Sequence, residues 1–144
     1  MYRRGRPEVE IFEPSEVLYR RYRCEHWISG QFTGIGFKFP KQSVNRARFG
    51  EPEDVLYSES CEFDGWGVLE FNASDIPERL EISAGPGFLF FMKHVPFEIN
   101  YGHSEIWADK IMATGEYVEP SSSLKKLFRT IMSQRMKIRI EANL

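Results

Sequence analysis

The chain lacks most of the features by which a small protein declares its chemistry. Only two of its 144 residues are cysteine, Cys24 and Cys61. They stand apart rather than in a CxxC spacing, which excludes a disulfide scaffold and the paired-cysteine zinc motifs. Both are expected to be reduced thiols. No apolar run approaches the roughly 20 residues that a membrane-crossing helix requires, so no membrane partner is expected. Met1-Tyr2-Arg3-Arg4-Gly5-Arg6 has the charge of a signal peptide's start, but Pro7-Glu8-Val9-Glu10 follows where an apolar stretch would be needed. A cytoplasmic location is therefore the expectation. Internal repeats, low-complexity tracts and linkers are missing, which leaves one domain over residues 1–144, with residues 1–14 as an edge strand or arm. Also missing are phosphate loops, nucleophile elbows, HxH and HExxH metal motifs, and paired carboxylates at a diagnostic spacing.

What the chain does have is aromatic bulk: twelve Phe, six Tyr and three Trp, enough for one sizeable core and favouring strands over long helices. Charge is nearly balanced overall but segregated along the chain. Residues 1–48 carry ten Lys/Arg against five Asp/Glu, residues 49–119 three against fifteen, and residues 120–144 six against one. Such a pattern fits a nucleic-acid surface built from both basic ends. It equally fits basic terminal strands lying beside acidic central ones, and a pI near 6.0 favours that account.

Periodicity predicts an α+β domain, a mainly antiparallel, aromatic-rich sheet with one C-terminal amphipathic helix packed on it and two short helices. Leu124, Leu127, Phe128, Ile131 and Met132 form the apolar stripe of a helix over about residues 122–134, opened by Ser121-Ser122-Ser123. Short helices are expected near 52–58 and 74–80, with Pro52 and Pro77 in their first turns. Phe88 to Met92, five apolar residues in a row, reads as a strand buried on both faces and central in the sheet. Ser29-Gly30 reads as a turn, and Lys137 to Glu141 as a final strand. Along Val17 to Arg23, alternation puts Tyr19, Arg21 and Arg23 on one face and Leu18, Arg20 and Tyr22 on the other. An inward arginine needs a partner, for which Glu62, Glu70 or Glu105 could serve. Ile35, Phe37 and Phe39 define another apolar face, opposite Gly34 and Gly36.

The best candidate site is the strand His103-Ser104-Glu105-Ile106-Trp107, which presents His103, Glu105 and Trp107 together. His103 and Glu105 could act as a general acid/base pair. With His26 and His94 they could in principle hold zinc or iron, but the spacing announces no metal and none is expected.

In order along the chain, Tyr19-Arg20-Arg21, then Ser29-Gly30, then Phe37-Lys38-Phe39 followed by Ser43, and finally Ser104-Glu105-Ile106 resemble the strand arginine, serine-bearing strand and late glutamate of ADP-ribosyltransferases. The resemblance implies that Arg20 or Arg21 grips NAD, Ser43 orients it and Glu105 polarises the nicotinamide ribose. That family's Ser-Thr-Ser triplet and paired-glutamate element are absent here. Over most of residues 17–140 the chain also resembles a group of small bacterial proteins with no assigned activity, through Leu18-Tyr19-Arg20-Arg21, Phe37-Lys38-Phe39-Pro40, Ser43-Val44-Asn45-Arg46 and His103-Ser104-Glu105-Ile106.

Two functional expectations follow. The first is a non-enzymatic binding or interaction domain whose partner is another protein, with nucleic acid ranked behind it. The alternative is a small-molecule enzyme of the ADP-ribosyltransferase type acting on NAD through Arg21 and Glu105, with His103 assisting. The enzyme requires those side chains on one face, whereas the interaction domain requires an exposed apolar or charged patch.

Overall fold

Alternating burial along adjoining strands divides this molecule into two unequal faces. The computed structural model describes residues 12–32, 41–56, 65–81, 87–95, 102–110 and 121–142. Its strands are β1 (Val17–Tyr22), β2 (Trp27–Ile28), β3 (Gln31–Phe32), β4 (Lys41–Arg46), β5 (Gly67–Asn72), β6 (Arg79–Leu80), β7 (Phe88–His94), β8 (His103–Lys110) and β9 (Lys137–Ile140). One helix, α1 (Ser122–Arg135), stands between β8 and β9. Seven strands form one antiparallel sheet in the order β6-β7-β8-β4-β1-β5-β9, and β2 and β3 form a separate hairpin. In that hairpin Ser29 and Gly30 both take positive φ, the geometry of a tight turn matched to strand twist.

The longest ladder joins β7 to β8 in register from Phe88↔Lys110 to His94↔Ser104. Cross-strand partners share a face, so Phe88, Phe90, Ile106 and Ala108 fall together with Val44, Leu18, Tyr22, Leu69 and Phe71. Over this apolar face lies α1. Ser121 caps it by accepting from the Leu124 N–H, and Leu124, Phe128 and Met132, four residues apart, are fully buried. Phe128 stacks on Phe90 with ring centroids 4.6 Å apart. Among the described residues the opposite face carries a small apolar cluster, Tyr19 and Val68 with Val55 from a 3-10 helix at Pro52–Leu56.

The α+β architecture, the helix near 122–134, the Ser29-Gly30 turn and the final strand match the sequence reading. The short helix expected near 52–58 is a 3-10 helix at Pro52–Leu56, opened by Pro52. Two local expectations do not match. The segment near 74–80 holds a 3-10 turn at Ala73–Asp75, and Arg79–Leu80 is strand. Pro77 confines Ile76 to extended backbone, which stops helix propagation, while the Asn72 N–H donates to the Asp75 carboxylate to close the turn. Phe88 to Met92 is buried on one face rather than two. Its strand lies second from the sheet edge, and Phe91 is 38% exposed because α1 covers the other side.

Of the arginines on β1, Arg20 turns with Leu18 and Tyr22 to the helix-covered face, and a further buried arginine, Arg46, pairs with Glu16. Its Nε and Nη2 both donate to the Glu16 carboxylate, the second at 2.7 Å, and Phe12 and Phe49 lie against the guanidinium with centroids 3.8 and 5.3 Å away. The Arg46 side chain has no exposed surface. Such a pair is tolerated only because the fork-to-fork geometry satisfies both groups at once. The sequence expectations for Cys61, Glu62 and residues 34–39 concern positions outside the described residues.

Glu16→Ala leaves a buried guanidinium without its carboxylate and is expected to lower stability by about 3–5 kcal/mol. Glu81→Ala, which removes the exposed Arg79–Glu81 pair, should leave the urea midpoint unchanged within error. Equilibrium denaturation of the two variants checks both.

Candidate functional site

On the face away from α1, the sheet brings polar side chains where an ordinary core would have apolar ones. Register sets Tyr19 opposite Asn45 and Asn45 opposite His103, a polar row across β1, β4 and β8. The next row on the same face sets Ser43 opposite Glu105 and Glu105 opposite Lys93. Asn45, His103 and Glu105 are all buried. Polar groups are held in such a place only where hydrogen bonds compensate the lost water. The Trp107 indole N–H donates to Glu105 at 3.2 Å, and Lys93 Nζ sits 4.4 Å above the Trp107 ring. His103 Nδ1 lies 2.8 Å from the Val95 carbonyl, which can only accept. The proton is therefore on Nδ1, and Nε2 is the basic nitrogen of the neutral ring.

The sheet forks beside these rows. β1 and β4 pair at Leu18↔Arg46 and Tyr19↔Asn45, after which β1 continues only against β5, to Tyr22, and β4 only against β8, to Lys41. Arg20 reaches across the gap, and its Nη1 donates to the Ser43 carbonyl at 2.8 Å. Burial, and secondarily the charge of Arg21, push the Arg20 guanidinium down to about 9 from its ordinary 12.5. Arg21 falls on the face of Ser43, His103 and Glu105 by alternation, and its Nη1 is 3.5 Å from the Val55 carbonyl. Below the fork, burial and then the charge of Glu70 raise the Tyr19 phenol above its usual 10.0.

Thus Arg21, His103 and Glu105 share one face of three neighbouring strands, with Ser43 between them and Arg20 spanning the fork. The other two histidines do not join His103. His94 lies on the helix-covered face, where its Nδ1 is 3.4 Å from Ser104 Oγ. His26 belongs to a turn after β1, accepts from the Arg23 N–H and meets the Trp66 ring edge-on. Among the described residues, no three His, Cys, Asp or Glu side chains are grouped to hold a metal ion. Asn45 and Tyr19 are members of the polar row that the sequence reading did not single out. Alternation already put Asn45 on the face of Ser43, but the register against His103 joins residues 58 apart in sequence and is not local information. Comparison with protein-family models, with curated proteins and with solved structures yields no match.

Because the folded state holds the Tyr19 proton more tightly than the unfolded chain, the Tyr19 contribution to stability should fall as pH rises through 10 and above, against the opposite contribution of Arg20. Melting temperatures between pH 9 and 11 should decline less for Tyr19→Phe than for wild type.

Proposed function

We propose that the forked sheet is a nucleotide site and that the chain acts on NAD in the manner of an ADP-ribosyltransferase-like enzyme. The observation that carries this reading is lateral order. Arg20 and Arg21, Ser43 and Glu105 lie on β1, β4 and β8, three strands that are neighbours in the sheet although Ser43 and Glu105 are 62 residues apart. The two consecutive guanidinium groups repel one another, which a pyrophosphate set into the fork would relieve. Ser43 borders the fork and can orient the ligand. Glu105, buried and held by the Trp107 indole, can polarise the nicotinamide ribose as the glycosidic bond weakens. His103 stands two residues before it on the same face and assists by holding a ribose hydroxyl or taking a proton through Nε2. Asn45, between Ser43 and His103 in the sheet, supplies an amide where the transferase triplet would supply hydroxyls. A bacterial cytoplasmic setting goes with this reading.

The expectation of a protein-interaction domain, with another protein as partner, is supported by a separate observation. A groove of about 940 Å³ runs beside β7, lined by Phe12, Ile76, Phe90, Phe91 and Met92 among others. This reading uses a different surface from the nucleotide site, and as a non-enzymatic domain it is the alternative to the enzyme.

Calorimetric titration with NAD, followed by assay of free nicotinamide, tests the first reading. Wild type should bind and release nicotinamide, and Glu105→Gln should lose about 10²–10³-fold in turnover while its melting temperature holds. NAD affinity should also weaken above pH about 9, where Arg20 loses its proton. Absence of NAD binding by folded wild-type protein at millimolar concentration would sink the proposal.

A further inference from the structure

The groove beside β7 has an unusual lining. It includes Leu89, Phe90, Phe91 and Met92, four consecutive residues whose side chains alternate between the two faces of the sheet. A cavity over one face of a strand meets every second side chain, so one that meets all four wraps around the strand's edge. Among the described residues that edge is only partly covered. β6 pairs Arg79 with Leu89 and Leu80 with Phe88, and the Phe90 N–H donates to the Glu78 carbonyl. There the neighbour ends, because Pro77 has no N–H to continue the ladder. The main-chain groups of alternate residues point the same way, so Met92, two residues beyond Phe90, directs its N–H and C=O outward past the end of β6. No described residue hydrogen-bonds those two groups.

We propose that this edge is a docking site for an extended peptide segment of a partner protein, which adds to β7 as a short strand and pairs its main chain with Met92. The inference rests on the protein-interaction reading and deepens it. On the helix side, the residue opposite Met92 projects its side chain among Phe12, Ile76, Phe90 and Met92, which calls for an apolar residue. Arg135, at the end of α1, stands on the rim with its Nη1 on the Asp75 carbonyl and in no ion pair with a described residue, and Glu78 also lines the groove. Arg79, also in the lining, is paired with Glu81. An acidic side chain two residues from the apolar one lies on the same face and reaches Arg135. The segment is therefore of the form apolar-x-acidic. A second copy of this chain fits less well. In antiparallel pairing through Met92, each copy's own β6 occupies the same edge a few residues away and limits the match to about three residues on each side.

The experiment selects a random heptapeptide phage library on the immobilised chain. The most enriched sequence is then synthesised and titrated, with amide hydrogen exchange followed at Met92. Enrichment of apolar-x-acidic sequences, slowing of the Met92 amide by at least about tenfold, and about tenfold weaker binding to Arg135→Glu would support the proposal. Met92→Pro, which removes the edge N–H at a position where an edge strand tolerates proline, should also weaken binding. A peptide that binds and leaves the Met92 amide unchanged overturns the edge site while the interaction reading stands. If no sequence is enriched, both fall. A Met92 amide already protected in the chain alone, or protected on self-association measured by sedimentation, assigns the edge to this protein's own chain and overturns the proposal.

Discussion

The ion pair between Arg46 and Glu16 is the constraint on which the rest of this structure depends. Glu16 immediately precedes β1, Arg46 ends β4, and the Arg46 N–H donates to the Gly102 carbonyl at the entrance to β8. One residue thus ties together the ends of three neighbouring strands. Phe12 and Phe49 enclose the guanidinium and strengthen its attraction to the carboxylate by excluding water. The β1–β4 ladder is only two pairs long, too short to fix its own register. The buried pair supplies the specificity that the ladder lacks. A slip of one residue would send Ser43 and Asn45 to the helix side and expose Val44, exchanging the apolar and polar faces of β4.

A short ladder leaves room for the fork, and the fork separates a structural arginine from candidate functional ones. Arg46 is consumed in holding the strands together above the gap. Arg20 and Arg21 lie at the gap itself, where Arg20 donates to a carbonyl of the strand across it. The sheet divides its labour by face as well. On one side aromatic and aliphatic residues meet α1. On the other, Asn45, His103 and Glu105 are kept from water without an apolar reason for being there.

How much of this was legible depended on the range of the interaction responsible. The helix α1 was plain because its stripe and its serine cap are local. So was the shared face of His103, Glu105 and Trp107, since alternation within one strand needs no partner. The run Phe88 to Met92 misled because apolar character alone does not say how many faces are covered, and only α1, thirty residues on, decides that. The short helix near 74–80 failed at Pro77, whose effect on Ile76 is local and could have been weighed more heavily than the capping residues before it. The pairing of Arg46 with Glu16 was beyond reach, because the two are joined by the lateral placement of β1 and β4. The same non-local register assembled the row of Tyr19, Asn45 and His103.

Strand order in the chain also bears on how the molecule comes into being. β1, β4, β5, β6, β7 and β8 all precede α1, and β9, which covers the β5 edge, follows it. A ribosome therefore delivers six strands of the sheet before the element that covers their apolar face. At about 5–20 residues per second, the aromatic surface of Phe88, Phe90 and Phe71 stays naked for seconds after it can form. Gly67, whose missing side chain makes room for Ile140 and Ala142, keeps a berth for residues that arrive last. The nascent chain spends its most adhesive moments as an unroofed sheet, and a holding chaperone would meet it there.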